Sequence, residues 1–218
     1  MATSLDTAIP HGRTAVAARP GVSLTDLWLL LTVLIWGSNY AVVKYGTDQM
    51  DALAFNGVRI LLGTLGFGVI ALARGRRGPR IARRDVIALL ALGVLGNCIY
   101  QTGFAEGVAH SRAGTAALLF SSSPALIAIA GRWFGIERIG LRGYAGVALS
   151  MAGIAIIVLG GATAGGADGT LLGDAIVLAS AVCWALYTVL LEPLTQRVSL
   201  IDVSALTLVG GAVPLLLI

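Results

Sequence analysis

Along the chain, apolar residues neither alternate with polar ones nor keep to one helical stripe; they come in long runs parted by short polar breaks. Seven runs can be drawn, over 26–45, 52–73, 85–106, 113–134, 142–162, 172–191 and 203–218. Most approach the ~20 residues that a helix rising 1.5 Å per residue needs to cross about 30 Å of hydrocarbon. Strands of a membrane barrel would be shorter and alternating. The pattern therefore predicts an all-α polytopic membrane protein. Residues 1–25 carry no apolar run of signal-peptide length before the Ala18-Arg19-Pro20-Gly21 break, and are expected to form a disordered tail.

Composition agrees with that reading. Hydrophobic residues make up 57% and charged residues 12% of the chain, with mean hydropathy +0.88. A soluble domain carries about 25% charged residues, so this chain cannot cover itself in water. Of its 15 basic residues, twelve fall in the tail and in the breaks after the second, fourth and sixth runs. The other side has Lys44 and Arg112, and Arg59 lies within a run. The excess of positive charge places the N-terminus in the cytoplasm of an inner (plasma) membrane protein. The net charge of +4 thus marks topology, and nucleic acid is not an expected partner, because the arginines hug the run ends.

Polar residues inside the runs are few, and each needs a reason. Ser121 to Leu126 reads SSSPAL in mid-run. Pro124 removes a backbone donor and crowds the preceding turn, costing about 3 kcal/mol in a soluble helix interior, and it frees the carbonyl of Phe120. Ser121, Ser122 and Ser123 can bond such carbonyls locally. Two readings stay open: a kink satisfied by its own hydroxyls, or a break that offers polar groups to a substrate path at the midplane.

Arg59 lies seven residues in from Ala52, about 10 Å deep, and an arginine that reaches the centre costs about 2.5–3.5 kcal/mol. Snorkelling to the outer surface beside Asn56 is the expected arrangement, with contact to a substrate carboxylate as the functional alternative. Asn97 and Gln101, at i and i+4, are either helix glue or pore lining. Trp36, Asn39 and Tyr40 share a helix face, and Trp184 and Tyr187 offer a similar pair. Trp28 and Trp133 suit an interfacial belt; Trp36 and Trp184 lie too deep for one and are expected as cavity walls. Gly103/Gly107 and Gly131/Gly135 have the spacing that lets helices approach. Cys98 and Cys183 read as small buried hydrophobes, not as a disulfide.

The chain also repeats itself. Asp26 stands ten residues before Trp36, and Asp174 ten before Trp184, both at an offset of 148. Five runs separate the two starts, and an odd number inverts the second unit relative to the membrane. The stretches WGSNYAVVK (Trp36, Gly37, Asn39, Lys44) and Ser121 to Gly160 (Pro124, Glu137, Gly146, Gly153) resemble the opening and closing of an EamA repeat in the drug/metabolite transporter superfamily. The resemblance implies ten helices in two five-helix units, with the proline helix lining a central cavity. It divides the chain into a tail (1–25), a complete first unit (26–162) and the start of a second unit (172–218). Glu137, Gly146 and Gly153 are its structural signature, Glu137 tying the loop or capping the fifth span.

Ile218 falls inside the seventh run, so this is expected to be a fragment, a truncated gene product, or a chain completed by a second copy or another membrane chain.

No metal-spaced cluster or GxxxxGK loop is present, and His11 and His110 fall outside the runs, so neither an enzyme nor a cofactor or metal is expected. Glu106 and Asp174 are not deep, which leaves ion coupling open. The resulting expectation is a secondary transporter, an exporter by resemblance, that moves small polar or amphipathic metabolites across the bilayer by alternating access. Its path would be lined by Trp36, Asn39, Tyr40, Arg59, Asn97, Gln101, Ser121–Ser123, Pro124, Trp184 and Tyr187. The alternative is a non-transporting membrane subunit whose polar groups only hold helices together.

Overall fold

A computed structural model describes residues 23–75, 81–136, 139–163 and 170–217. The tail up to residue 22, Glu137 and Ile218 lie outside the described residues. Every regular element among those described is helical, and each of the seven runs appears. They are α1 (Leu24–Gln49), α2 (Ala52–Arg74), α3 (Arg83–Gly93) continuing through a π-helical turn (Val94–Ile99) into α4 (Tyr100–Ala109), α5 (Ala113–Phe120) with α6 (Ser123–Trp133), α7 (Leu141–Thr163), α8 (Leu171–Thr195) and α9 (Leu200–Leu215). Five of the seven are long and apolar enough to cross a membrane; α9 and the described stretch of α7 are shorter apolar helices.

Caps set where the helices begin. Ser23 and Asp26 form a reciprocal box at the start of α1, each accepting from the other's backbone N–H at 2.8 and 3.1 Å. Ser199 Oγ accepts from the Asp202 N–H and donates to its carboxylate. Asp51 caps α2 through the N–H groups of Leu53 and Ala54, and Thr170 caps α8. Each takes up N–H groups that the first turn leaves free.

The chain divides at Ile35 into two units. The first contributes the opening turns of α1, a mostly apolar surface with Trp28 61% exposed. The second, from Trp36 onward, contains the bundle. There α4 packs on α8, α3 on α9, and α6 on α8, around a core that includes Val43, Tyr100, Phe104, Phe120, Val177 and Ala181.

Glycines allow the closest approaches. A Cβ at Gly93 would collide with the Thr207 carbonyl, and one at Gly210 with the Leu90 carbonyl, so α3 and α9 meet backbone to backbone. Cβ atoms at Gly103 and Gly107 would lie 2.7 Å from Ser180 Oγ and 2.8 Å from Val177 N, as the small-residue spacing predicts. Gly135 departs from that expectation. It has φ +72° and meets nothing within 4 Å. Its N–H bonds the Arg132 carbonyl while Ile136 N–H bonds that of Gly131, which is a Schellman stop to α6. Gly146 and Gly153 on α7 also meet nothing within 4 Å.

Polar ties close both ends of the bundle. At one end Lys44 Nζ donates to the Ala109 carbonyl at 2.8 Å and pairs with Asp48 at 3.3 Å. Ser111 Oγ donates to Asp174, and Thr170 N–H to the His110 carbonyl. At the other end, Asp85 of α3, its side chain 12% exposed, lies 3.7 Å from Arg197 just past α8.

Candidate functional site

The fourth run is where the sequence posed two readings, and the helix there does break. Residues 121 and 122 form a turn between α5 and α6. Pro124 sits in the first turn of α6, where its missing N–H costs little. Ser121, Ser122 and Ser123 each donate to the carbonyl three residues back, on Leu118, Leu119 and Phe120, at 2.5, 2.7 and 2.5 Å. The break is thus satisfied by its own hydroxyls. Ser122 and Ser123 are buried in the bundle, whereas Ser121 and Pro124 are exposed. With their protons engaged, the inward hydroxyls present only lone pairs. They can accept a hydrogen bond and have none left to give.

Seven aromatic rings form one connected cluster beside this break. Tyr187 contacts Trp184 at 5.5 Å, Trp184 contacts Trp36 at 5.9 Å and Tyr100 at 5.1 Å, and Tyr100 contacts Phe104 and Phe120. Tyr40 closes edge-on against Phe104 and Phe120. Offset and tilted pairs of this kind contribute about 0.5–1.5 kcal/mol each beyond their burial. Trp36 and Trp184 occupy matching positions of the sequence repeat, and they touch.

On one side of the cluster a cavity of about 370 Å³ opens between α6 and α8, lined by Ile127, Gly131, Trp184, Tyr187, Thr188 and Glu192 among others. That volume suits a small molecule. Away from the cavity stands Arg59, beside Phe55, which packs against the same core. Its guanidinium does not snorkel outward beside Asn56, as the sequence suggested. It donates to Asn39 Oδ1 at 3.1 Å and lies 5.6 Å from the Phe55 ring. Asn56 instead donates to Thr102 at 3.1 Å. The Arg59 side chain thus turns toward α1, where it has a polar partner.

The EamA-like transporter family matches residues 23–159, more than half of the chain. The chain belongs to the EamA-like transporter family. Several curated relatives of this EamA chain are named as transporters. It is 26% identical over 187 residues to an uncharacterized transporter of Archaeoglobus fulgidus, covering 86% of this chain and 64% of that one. It is 30% identical over 188 residues to a probable terminal-alkyne amino-acid exporter of Streptantibioticus cattleyicolor, covering 86% and 61%. The uncharacterized inner membrane transporter YedA of Escherichia coli is 28% identical, with 85% and 58% covered. The EamA chain thus spans about three-fifths of the length of the relatives it matches. No solved structure matches it.

Of the residues singled out in sequence, the EamA bundle brings Trp36, Tyr40, Trp184 and Tyr187 into the cluster, Trp184 and Tyr187 also lining the cavity; Asn39 and Arg59 pair with each other, and Ser122 and Ser123 are buried at the break. Asn97 is not among them. It sits in the π turn with its Cβ against Gly211 of α9, a packing seam. Gln101 is half-buried on α4. Sequence reasoning missed Tyr100, Phe104 and Phe120, which look like ordinary apolar residues until the helices are placed. It also missed the π turn, whose Gly96 lies against the Tyr187 ring; such turns often mark functional sites.

Proposed function

We propose that the chain is the substrate-handling part of a secondary transporter that moves small polar or amphipathic metabolites by alternating access, in the export direction. Residues 26–162 form its first repeat unit and 172–218 begin the second, with the N-terminus in the cytoplasm. The observation that carries this reading is the line of ring contacts that runs from the cavity, at Tyr187 and Trp184, through Tyr100 to Phe104 and Phe120 in the core of the bundle. It is a polar and aromatic path inside an apolar bundle, where secondary carriers hold their substrates.

In this conformation the rings are packed against each other, so the cavity is a vestibule that ends at an aromatic plug. Under the proposed orientation the vestibule faces the cytoplasm, since the last turns of α6 and α8 line it. Substrate entering there meets Thr188 and Glu192 at the rim and the faces of Trp184 and Tyr187 at the floor. Passage requires the plug to part and the ties at Lys44, Ser111 and Asp174 on the far side to open. The name of the Streptantibioticus relative supports export and offers an amino acid as one amphipathic substrate.

The test is flux in proteoliposomes made with the purified chain and loaded with a radiolabelled panel of amino acids and amines. The expected outcome is release of at least one solute above protein-free vesicles, and a drop of about tenfold or more in Trp184→Ala. That drop corresponds to about 1.4 kcal/mol of lost stabilisation. Absence of flux for the whole panel would count against the reading.

A further inference from the structure

The vestibule between α6 and α8 has a polarity of its own. Trp184, Tyr187, Thr188, Glu192 and Thr195 of α8 all line it, at spacings of three and four residues that keep them on one helical face. Both threonine hydroxyls commit their protons within the helix, Thr188 to the Trp184 carbonyl at 2.8 Å and Thr195 to the Glu192 carbonyl at 2.7 Å. Toward the cavity they offer lone pairs alone. Glu192 is the one charged side chain among the described lining residues. It is exposed at the rim and makes no ion pair with a described residue. Arg197, five residues on, is held by the Pro193 carbonyl and Asp85, and the exposed Arg132 of α6 is not among the lining residues. The facing wall, Ile127, Gly131 and Ile136, is apolar. Beside this cavity α6 stops at Trp133 and α8 at Thr195, and the last turn of a helix carries a partial negative charge that favours cations.

A ligand that suits this lining has a cationic head and an apolar body. An anion would meet Glu192, the threonine lone pairs and the negative helix ends, with no cation in the described lining to answer it. A sugar presents hydroxyls that seek donors as well as acceptors, and the two threonines have none to give. A free amino acid brings an ammonium that fits and a carboxylate that does not. An amine or quaternary ammonium without a carboxylate fits throughout, because aromatic faces attract cations and also cover apolar carbon. Glu192 stands five residues beyond Tyr187 on α8, about 7.5 Å along the axis, so a small amine can set its head near the carboxylate and its body against the rings. We propose that Glu192, with Trp184 and Tyr187, makes the vestibule a subsite for small amphipathic organic cations, Glu192 setting the preference for positive charge. This inference rests on the carrier reading for its role and names the class of substrate that the vestibule admits.

The test is binding of radiolabelled 2-phenylethylamine to the purified full chain in detergent, with unlabelled competitors. Phenyltrimethylammonium is expected to displace the label about as well as 2-phenylethylamine itself. L-Phenylalanine adds a carboxylate, 3-phenylpropionate carries one in place of the amine, and 2-phenylethanol is neutral; each should need a concentration about tenfold higher or more. Glu192→Gln should weaken the amine by about tenfold and remove its advantage over the alcohol, while Glu192→Asp should keep that advantage. Glu106→Gln, at the opposite end of the bundle beside His110, should leave it unchanged. An unaltered chain with no saturable amine site, or one from which the alcohol or the propionate displaces the label as readily as the amine, would overturn the subsite without recourse to a variant. So would a folded Glu192→Gln protein that keeps the full preference. Flux of the same compounds in proteoliposomes separates the two readings. Preferred binding of amines with no flux of any solute sinks the carrier and keeps the subsite, and flux of another solute without amine binding does the reverse.

Discussion

At the scale of single residues, the Phe120 carbonyl shows how the broken helix is held together. Pro124 cannot donate to it, and no backbone N–H reaches it, so the hydroxyl of Ser123 is its partner. The Leu118 carbonyl, by contrast, receives both the Ser121 hydroxyl and the Ser121 N–H at 3.2 Å. Ser123→Ala should therefore destabilise the protein by about 1–3 kcal/mol, the cost of an unmet buried acceptor. Ser121→Ala should stay within about 0.5 kcal/mol. Thermal unfolding in one detergent compares the two directly, and equal losses would refute this division of labour.

At the scale of elements, glycine substitutions discriminate between seams and open faces. In Gly210→Ala the new methyl meets the Leu90 backbone, with Cα at 2.8 Å, and neither backbone can yield without α3 and α9 parting. The expected loss is about 1–3 kcal/mol, as for other overpacked sites. Gly66 lies in α2 with nothing within 4 Å, so Gly66→Ala should be neutral or stabilising by up to about 1 kcal/mol through helix propensity. Melting temperatures moving in opposite directions would bear this out.

How much could be read in the sequence also becomes clear at this scale. Run length and hydropathy located all seven helical runs, five of them long enough to span, because hydrocarbon thickness fixes helix length. The break at Pro124 was legible because its cause is local. The π turn and the Arg59–Asn39 pairing were not, because each depends on what another part of the fold presents. Spacing alone gave Gly131 and Gly135 the same role, and only backbone geometry separates a seam glycine from a left-handed stop.

For the whole molecule, the charge pattern makes the orientation testable. If the N-terminus is cytoplasmic, the break after α6 at Gly140 faces the cytoplasm and Thr47, near the end of α1, faces outward. In a chain whose Cys98 and Cys183 are replaced by serine or alanine, a single cysteine at Thr47 should react with a membrane-impermeant maleimide in intact cells. One at Gly140 should react only after lysis. The reverse pattern would invert the topology and turn the vestibule outward. Of the aromatic cluster, the sequence showed the touching pair Trp36 and Trp184, because a repeat marks matching positions. The rest of it, Tyr100, Phe104 and Phe120, emerges only when α4 and α5 are packed together, and contacts between distant segments leave no periodic trace.

The turn at Ser121 and Ser122 has one more consequence, an electrostatic one. An α-helix carries roughly half a positive elementary charge at its start and half a negative one at its end. Cutting the fourth span creates a new end and a new start near mid-depth, and the two are treated unequally. Three hydroxyls quench the negative end of α5, while the start of α6 has no side-chain cap. The core of the bundle therefore has a faint positive bias that no ionised group supplies, and without the cost of carrying a lysine into oil.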